Sequence, residues 1–94
     1  MLKLKVSTDA IRDLQEAVKY YNTQQAGLGR RFEKTIKQSF EKIQQMPQAA
    51  SFVYDTVRYK VVDKFPFIIT YEETEVAIIV LRIFNEQQNP EKLK

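Results

Sequence analysis

Apolar and polar positions alternate at the start of the chain and then change period. Leu2, Leu4 and Val6 alternate with Lys3 and Lys5. Period two predicts a short half-buried strand, because successive side chains leave opposite faces. After Ser7 the interval becomes helical: Ala10, Ile11, Leu14, Ala17, Val18 and Tyr21 make one apolar stripe, on a helix predicted from about residue 8 to 24. Ser7 supplies an oxygen to cap its first amides, and Asp9 sets a negative charge against its positive end. Gly27 and Gly29 interrupt the pattern, and glycine can take the left-handed conformation that ends a helix. A second stripe then runs through Leu28, Phe32, Ile36, Phe40, Ile43 and Met46, with Arg30, Arg31, Lys34, Lys37 and Lys42 opposite. Pro47 stops it. So short a connection makes the two helices an antiparallel hairpin.

From residue 52 to 84 the pattern is of another kind. This stretch holds seven of the eleven aromatic residues. Phe52 to Tyr54 reads as a short edge piece. Val57, Tyr59 and Val61 alternate with Arg58 and Lys60; Phe67, Ile69 and Tyr71 follow Pro66. Glu72-Glu73-Thr74-Glu75 reads as a charged turn, and Val76 to Phe84, apolar on both faces for most of its length, as an interior strand. These segments predict an antiparallel meander. One sheet face must cover both helical stripes, so the expected fold is α+β in two layers, a helical hairpin on an antiparallel sheet in the order β-α-α-β-β-β. The first strand is expected in the same sheet.

Size and composition narrow the reading. The chain has 94 residues, which predicts a single domain over 1–94, with a polar tail at 85–94 that includes Asn89-Pro90. It has no cysteine and no histidine. Disulfides, thiolate sites, imidazole bases and the triads built on them are therefore excluded. The residues imply no metal and no cofactor. The longest wholly apolar run, Val76 to Leu81, is too short to cross a bilayer, and a cytoplasmic protein without a membrane partner is expected. The net charge is +3, with nine cations against five anions in residues 1–47 and six against seven in 48–94. Basicity in the first half suits a nucleic acid or an acidic protein.

Without His or Cys, proton transfer would fall to Asp, Glu, Lys or Tyr. Glu72, Glu73 and Glu75 read as turn charges, and Gly27-Leu28-Gly29 as a helix–helix turn without the lysine of a phosphate loop. The candidate site is cationic. Arg58 and Lys60 share one strand face, expected to point away from the helices; Lys64 sits in the next turn, and Arg82 interrupts an apolar strand. A charge in such a strand is costly unless paired or near an open face. If these four converge on the open face, they could hold a phosphate backbone or stabilise the phosphorane of an RNA-cleaving reaction.

Several strings together resemble the RelE/ParE toxins of bacterial type II toxin–antitoxin systems. They are Ala10-Ile11-Arg12-Asp13-Leu14 with Tyr20-Tyr21, Leu28-Gly29-Arg30-Arg31-Phe32, Pro47, Val57-Arg58-Tyr59, Phe65-Pro66-Phe67-Ile68-Ile69-Thr70-Tyr71, Leu81-Arg82-Ile83 and Asn89-Pro90. Their order covers about residues 2 to 90. The resemblance implies a growth-inhibiting toxin of the plasmid-stabilising kind, neutralised by an antitoxin that wraps it with a helix and an extended segment, as a heterotetramer of two copies each. RelE-like members cut messenger RNA in the ribosome, whereas ParE-like members act on DNA gyrase. Arg58 and Lys60 match basic positions of the nucleases. Ile68 stands where those tend to carry arginine, and Asn85-Glu86-Gln87-Gln88 stands where they carry basic residues. ParE-like chains often place a His-Gly-Arg-Arg type run there. The Phe65-Pro66-Phe67 string looks ParE-like. The resemblance thus implies a ParE-like toxin that binds and inhibits gyrase, with Arg58, Lys60 and Arg82 contacting target or antitoxin. The alternatives are a RelE-like endoribonuclease using Arg58, Lys60, Lys64 and Arg82, and a non-toxic antitoxin-binding subunit.

Overall fold

The computed structural model describes residues 1–87. Its elements follow the hydrophobic pattern: β1 (Lys3–Val6), α1 (Thr8–Gln24), α2 (Leu28–Gln45), β2 (Phe52–Tyr54), β3 (Val57–Val61), β4 (Phe67–Glu73) and β5 (Ala77–Asn85). Asn85, expected in the tail, is the last residue of β5, and Glu72 and Glu73 belong to β4 rather than to the turn. Asn89-Pro90 lies outside the described residues.

The five strands form one sheet in the order β1-β5-β4-β3-β2. β2 to β5 pair antiparallel, whereas β1 lies parallel to β5 with Leu4 beside Ile78 and Val6 beside Val80. The chain leaves β1 through α1 and α2 to β2 at the far edge and returns through β3 and β4, so no tight turn joins β1 to β5 and the two can lie parallel. β5 is interior, between β1 and β4, which is why Ile78, Val80, Ile83 and Phe84 are all buried.

Ser7 joins three elements. Its Oγ accepts the Ala10 amide at 3.0 Å, capping α1, and donates to the Leu81 carbonyl at 2.8 Å. Leu81 is the extra residue of a bulge: Tyr71 of β4 lies opposite Val80, but Thr70 lies opposite Arg82. The extra residue shifts the alternation. Val80 and Ile83, three apart, therefore both join the helix-facing core, and Arg82 is displaced from it.

The core lies between the helices and one sheet face: Ala10, Ala17, Phe32, Ile36 and Ile43 meet Ile69, Tyr71, Ile78, Val80 and Ile83. Tyr21, Phe32, Phe65 and Phe67 stack edge-on or tilted, with centroids 4.8–6.1 Å apart. The Phe65-Pro66-Phe67 string thus ties the β3–β4 turn to both helices. The first stripe is only partly used, since Ile11 stays 44% exposed. Gly27 adopts a left-handed φ of 83° at the turn. Gly29 lies inside α2 rather than in the turn, where its amide donates to Asn22 Oδ1 at 2.9 Å. A Cβ there would stand 2.5 Å from the Val18 carbonyl oxygen, so Gly29 sets the closeness of the hairpin. Among the described residues no helix is long and apolar enough to cross a membrane.

Candidate functional site

The bulge determines what Arg82 does. β1 ends at Val6, opposite Val80, so β5 continues past it with an uncovered edge. The Asp13 carboxylate of α1 fills that edge. Its Oδ2 accepts from the Ile83 amide at 3.0 Å and from Arg82 Nε at 2.7 Å, and its Oδ1 accepts from a second Arg82 nitrogen at 2.9 Å. This two-pronged pairing matches the planar guanidinium to the planar carboxylate. The hydrogen bonds to Asp13 raise the Arg82 pKa further, against a smaller opposing effect of burial. Arg82 is therefore a fixed partner of α1, still partly open to solvent.

Arg58 lies on the other side of the sheet's middle strand, and its orientation corrects the expectation. It stands directly opposite Tyr71, and Lys60 stands opposite Ile69. Both partners belong to the helix-facing core, and cross-strand neighbours share a face. Arg58 and Lys60 thus point to the helix side, near the sheet edge where α2 ends, and not to the open face. The chain leaving α2 turns back over them. One Arg58 nitrogen donates to the carbonyls of Ala50 and Gln48, and the guanidinium stacks 3.9 Å from the Phe52 ring centroid. Tyr71 Oη donates to the Pro47 carbonyl at 2.7 Å. Gln48 Nε2 donates to Glu73 Oε1 at 3.3 Å. Burial raises the Tyr71 pKa, with Arg58 opposing and Glu73 reinforcing the shift. Arg58 and Tyr71 therefore pin residues 47–50 to the sheet.

Lys64 is exposed in the β3–β4 turn with a left-handed φ of 66°. The four candidate cations thus fall into separate places. Arg58 and Lys60 share a face two residues apart, Lys64 sits beyond the end of their strand, and Arg82 is held by Asp13. No single phosphate could meet all four in this arrangement. Asp13 and Tyr71, which tether two of these elements, were not among the candidates. Asp13 had a signal: it lies three residues after Ala10 and four before Ala17, both buried, so a carboxylate there faces the core and needs a partner. Among the described residues no group of three carboxylates could hold a metal ion.

With the fold and these placements in view, the sequence profile of the family described as "ParE toxin of type II toxin-antitoxin system, parDE" matches residues 4–90. The chain belongs to the ParE toxin family. A solved structure described as "Chromosomal ParDE TA system from P. aeruginosa" superposes with a TM-score of 0.82 at 22% identity, covering 90% of this chain and 96% of that one. At that identity the likeness is one of fold: two helices on a five-stranded sheet. No curated protein matches the chain. The ParE membership and the Phe65-Pro66-Phe67 string agree, and that string is a structural part of the aromatic core.

Proposed function

We propose that this ParE-family chain is the toxin of a toxin–antitoxin pair. It is silenced by a cognate antitoxin and acts by binding its target rather than by cutting a bond. DNA gyrase is the first target to test. The observation that carries the binding reading is the separation of the cations. Arg82 is engaged with Asp13 and Arg58 with the carbonyls after α2, so two of the four groups that a nuclease reading needs already have partners. An antitoxin partner is supported by family membership, and the net charge of +3 suits an acidic one. A two-plus-two assembly is the stoichiometry to check by mass measurement of the purified pair.

The test is induced expression in a bacterial host, with and without the adjacent reading frame, following growth, gyrase-dependent DNA breaks and messenger integrity. The expected outcome is arrest with intact messenger, accumulating breaks and rescue by the neighbour. Discrete cuts at codons in the ribosome would overturn the binding reading in favour of an endoribonuclease. Arrest with normal supercoiling and no breaks would remove gyrase. Normal growth throughout would leave an antitoxin-binding subunit without toxicity.

A further inference from the structure

β5 runs on past the end of β1, and Asp13 fills only part of the edge that this leaves. The Phe67 carbonyl accepts from the Val62 amide at 2.9 Å, so the backbone of Phe67 faces β3. Asn85 stands opposite Phe67, and such a pair exchanges no ladder bonds. The next amide, of Glu86, donates inward to the Pro66 carbonyl at 2.9 Å. The Asn85 amide and the Ile83 carbonyl therefore face the uncovered edge, and among the described residues no strand lies beside them.

Beside this edge, between α1 and the end of β5, lies a groove of about 350 Å³, within the range of clefts that hold ligands. Ala17, Phe67 and Ile83, all buried, form its floor. Glu16 and Tyr20, both exposed, stand on its rim. The Asp13 carboxylate also lines it but is balanced by Arg82. Glu16 has no ion pair among the described residues. The groove thus offers an apolar seat beside one uncompensated negative charge.

The chain itself turns at the mouth of this groove. Asn85 lines it, and its Oδ1 accepts the Gln87 amide at 2.9 Å, the local bond by which asparagine bends a chain. The residues that follow read Gln88-Asn89-Pro90-Glu91-Lys92-Leu93-Lys94. Leu93 is the one large apolar residue after Phe84, and a lysine flanks it on each side. From Gln87 to Leu93 the extended chain reaches about 20 Å, whereas Glu16 and Tyr20 are one helical turn apart, about 6 Å. The groove between α2 and β3 is lined by Lys42 and Lys60 and repels the same segment.

We infer that residues 88–94 fold back onto α1, seating Leu93 on the floor of Ala17, Phe67 and Ile83 with Lys92 and Lys94 toward Glu16. Closing so short a loop costs little entropy. The outward Asn85 amide and Ile83 carbonyl are satisfied by the returning backbone, and the docked segment shields the Asp13–Arg82 pair, whose attraction strengthens as water leaves it. The segment acts as a strap on the incomplete edge of β5, and this holds whatever target or partner the chain has.

The test uses the full chain and amide NMR. Four variants are compared with wild type: Leu93→Ser, Glu16→Lys, the pair Lys92→Glu with Lys94→Glu, and the last two combined. The tail substitutions leave every packed element intact, so the fold is not at stake in reading them. Leu93→Ser and the lysine pair are expected to shift the amides of Glu16, Tyr20 and Ile83. The Asn85 amide should then exchange its hydrogen at least about tenfold faster than in wild type. The combined variant reverses both charges and is expected to restore slow exchange, which a merely local effect of Glu16→Lys would not do. Shifts confined to residues 88–94, unchanged Asn85 exchange, or no recovery in the combined variant overturns the strap. Repeating the wild-type measurement at tenfold dilution separates the chain's own tail from a second copy's: protection that is lost on dilution overturns docking within one chain.

Discussion

Asp13 accepts three hydrogen bonds, two from Arg82 and one from the Ile83 amide, so its removal and that of Arg82 are not equivalent. Arg82→Ala takes away the guanidinium but leaves the Ile83 amide satisfied, and the lost pair is partly solvent-exposed, where such pairs are weak. Asp13→Ala also orphans a partly buried backbone donor. Asp13→Ala is expected to lose about 2 kcal/mol of stability and Arg82→Ala about 1 kcal/mol or less, measured by urea denaturation. Equal losses would show that the Ile83 bond contributes nothing. The same reasoning qualifies Arg58: Arg58→Ala removes a contact that pins residues 47–50, so a change in toxicity has to be read beside a folding measurement. At this scale the sequence was partly legible. Arg82 stood out as a charge in an apolar strand, and its partner lay at a core-facing position of α1. What joined them was a bulge at Leu81, which no residue type announces.

The hairpin of α1 and α2 is the element most sensitive to a single methyl group. Gly29 brings α2 against Val18 and Asn22 of α1, and a Cβ would come within 2.5 Å of backbone oxygen and 2.7 Å of the Asn22 amide. Asn22 can move, but the Val18 carbonyl belongs to the helix. Gly29→Ala is therefore expected to destabilise by about 1–3 kcal/mol despite alanine's better helix propensity. Thermal unfolding should show it as a drop of roughly 4–8 °C per kcal/mol. An unchanged or higher midpoint would mean that the helices separate at little cost. The element boundaries were largely legible because stripes at 3.6 residues and alternation at two are direct consequences of backbone geometry. The role of Gly29 was not, since a glycine in a turn and one at a helix crossing look alike in sequence.

For the whole molecule, burial of tyrosines sets a response to alkali. Burial raises the pKa of Tyr71 and of Tyr21 above the ordinary value of 10.0, so the folded state favours the neutral phenol. Below that value both states are neutral and this stabilisation is fully present. As pH rises past it the unfolded chain ionises first, and stability is lost through the folded pKa. Denaturant midpoints are expected to fall above about pH 10, with a shallower fall in Tyr71→Phe, which gives up the Pro47 hydrogen bond at a cost of about 1 kcal/mol. The same slope in both proteins would assign the alkaline loss elsewhere. A chain of this size has a small margin of stability, and a partner present at a hundred times its Kd would add about 2.7 kcal/mol.

Periodicity and composition alone determined the two helices, the meander, their order in two layers and the absence of cysteine and histidine chemistry. Each follows from local geometry or from which atoms are present. Tertiary structure decided which face each cation points to and what it meets. A strand's alternation says that Arg58 and Lys60 share a side, but which side depends on their pairing with Tyr71 and Ile69. Likewise, whether Arg82 is free depends on a bulge and on Asp13, 69 residues away in the chain. Contacts at that separation are set by the packing of the whole domain, and no local pattern carries them.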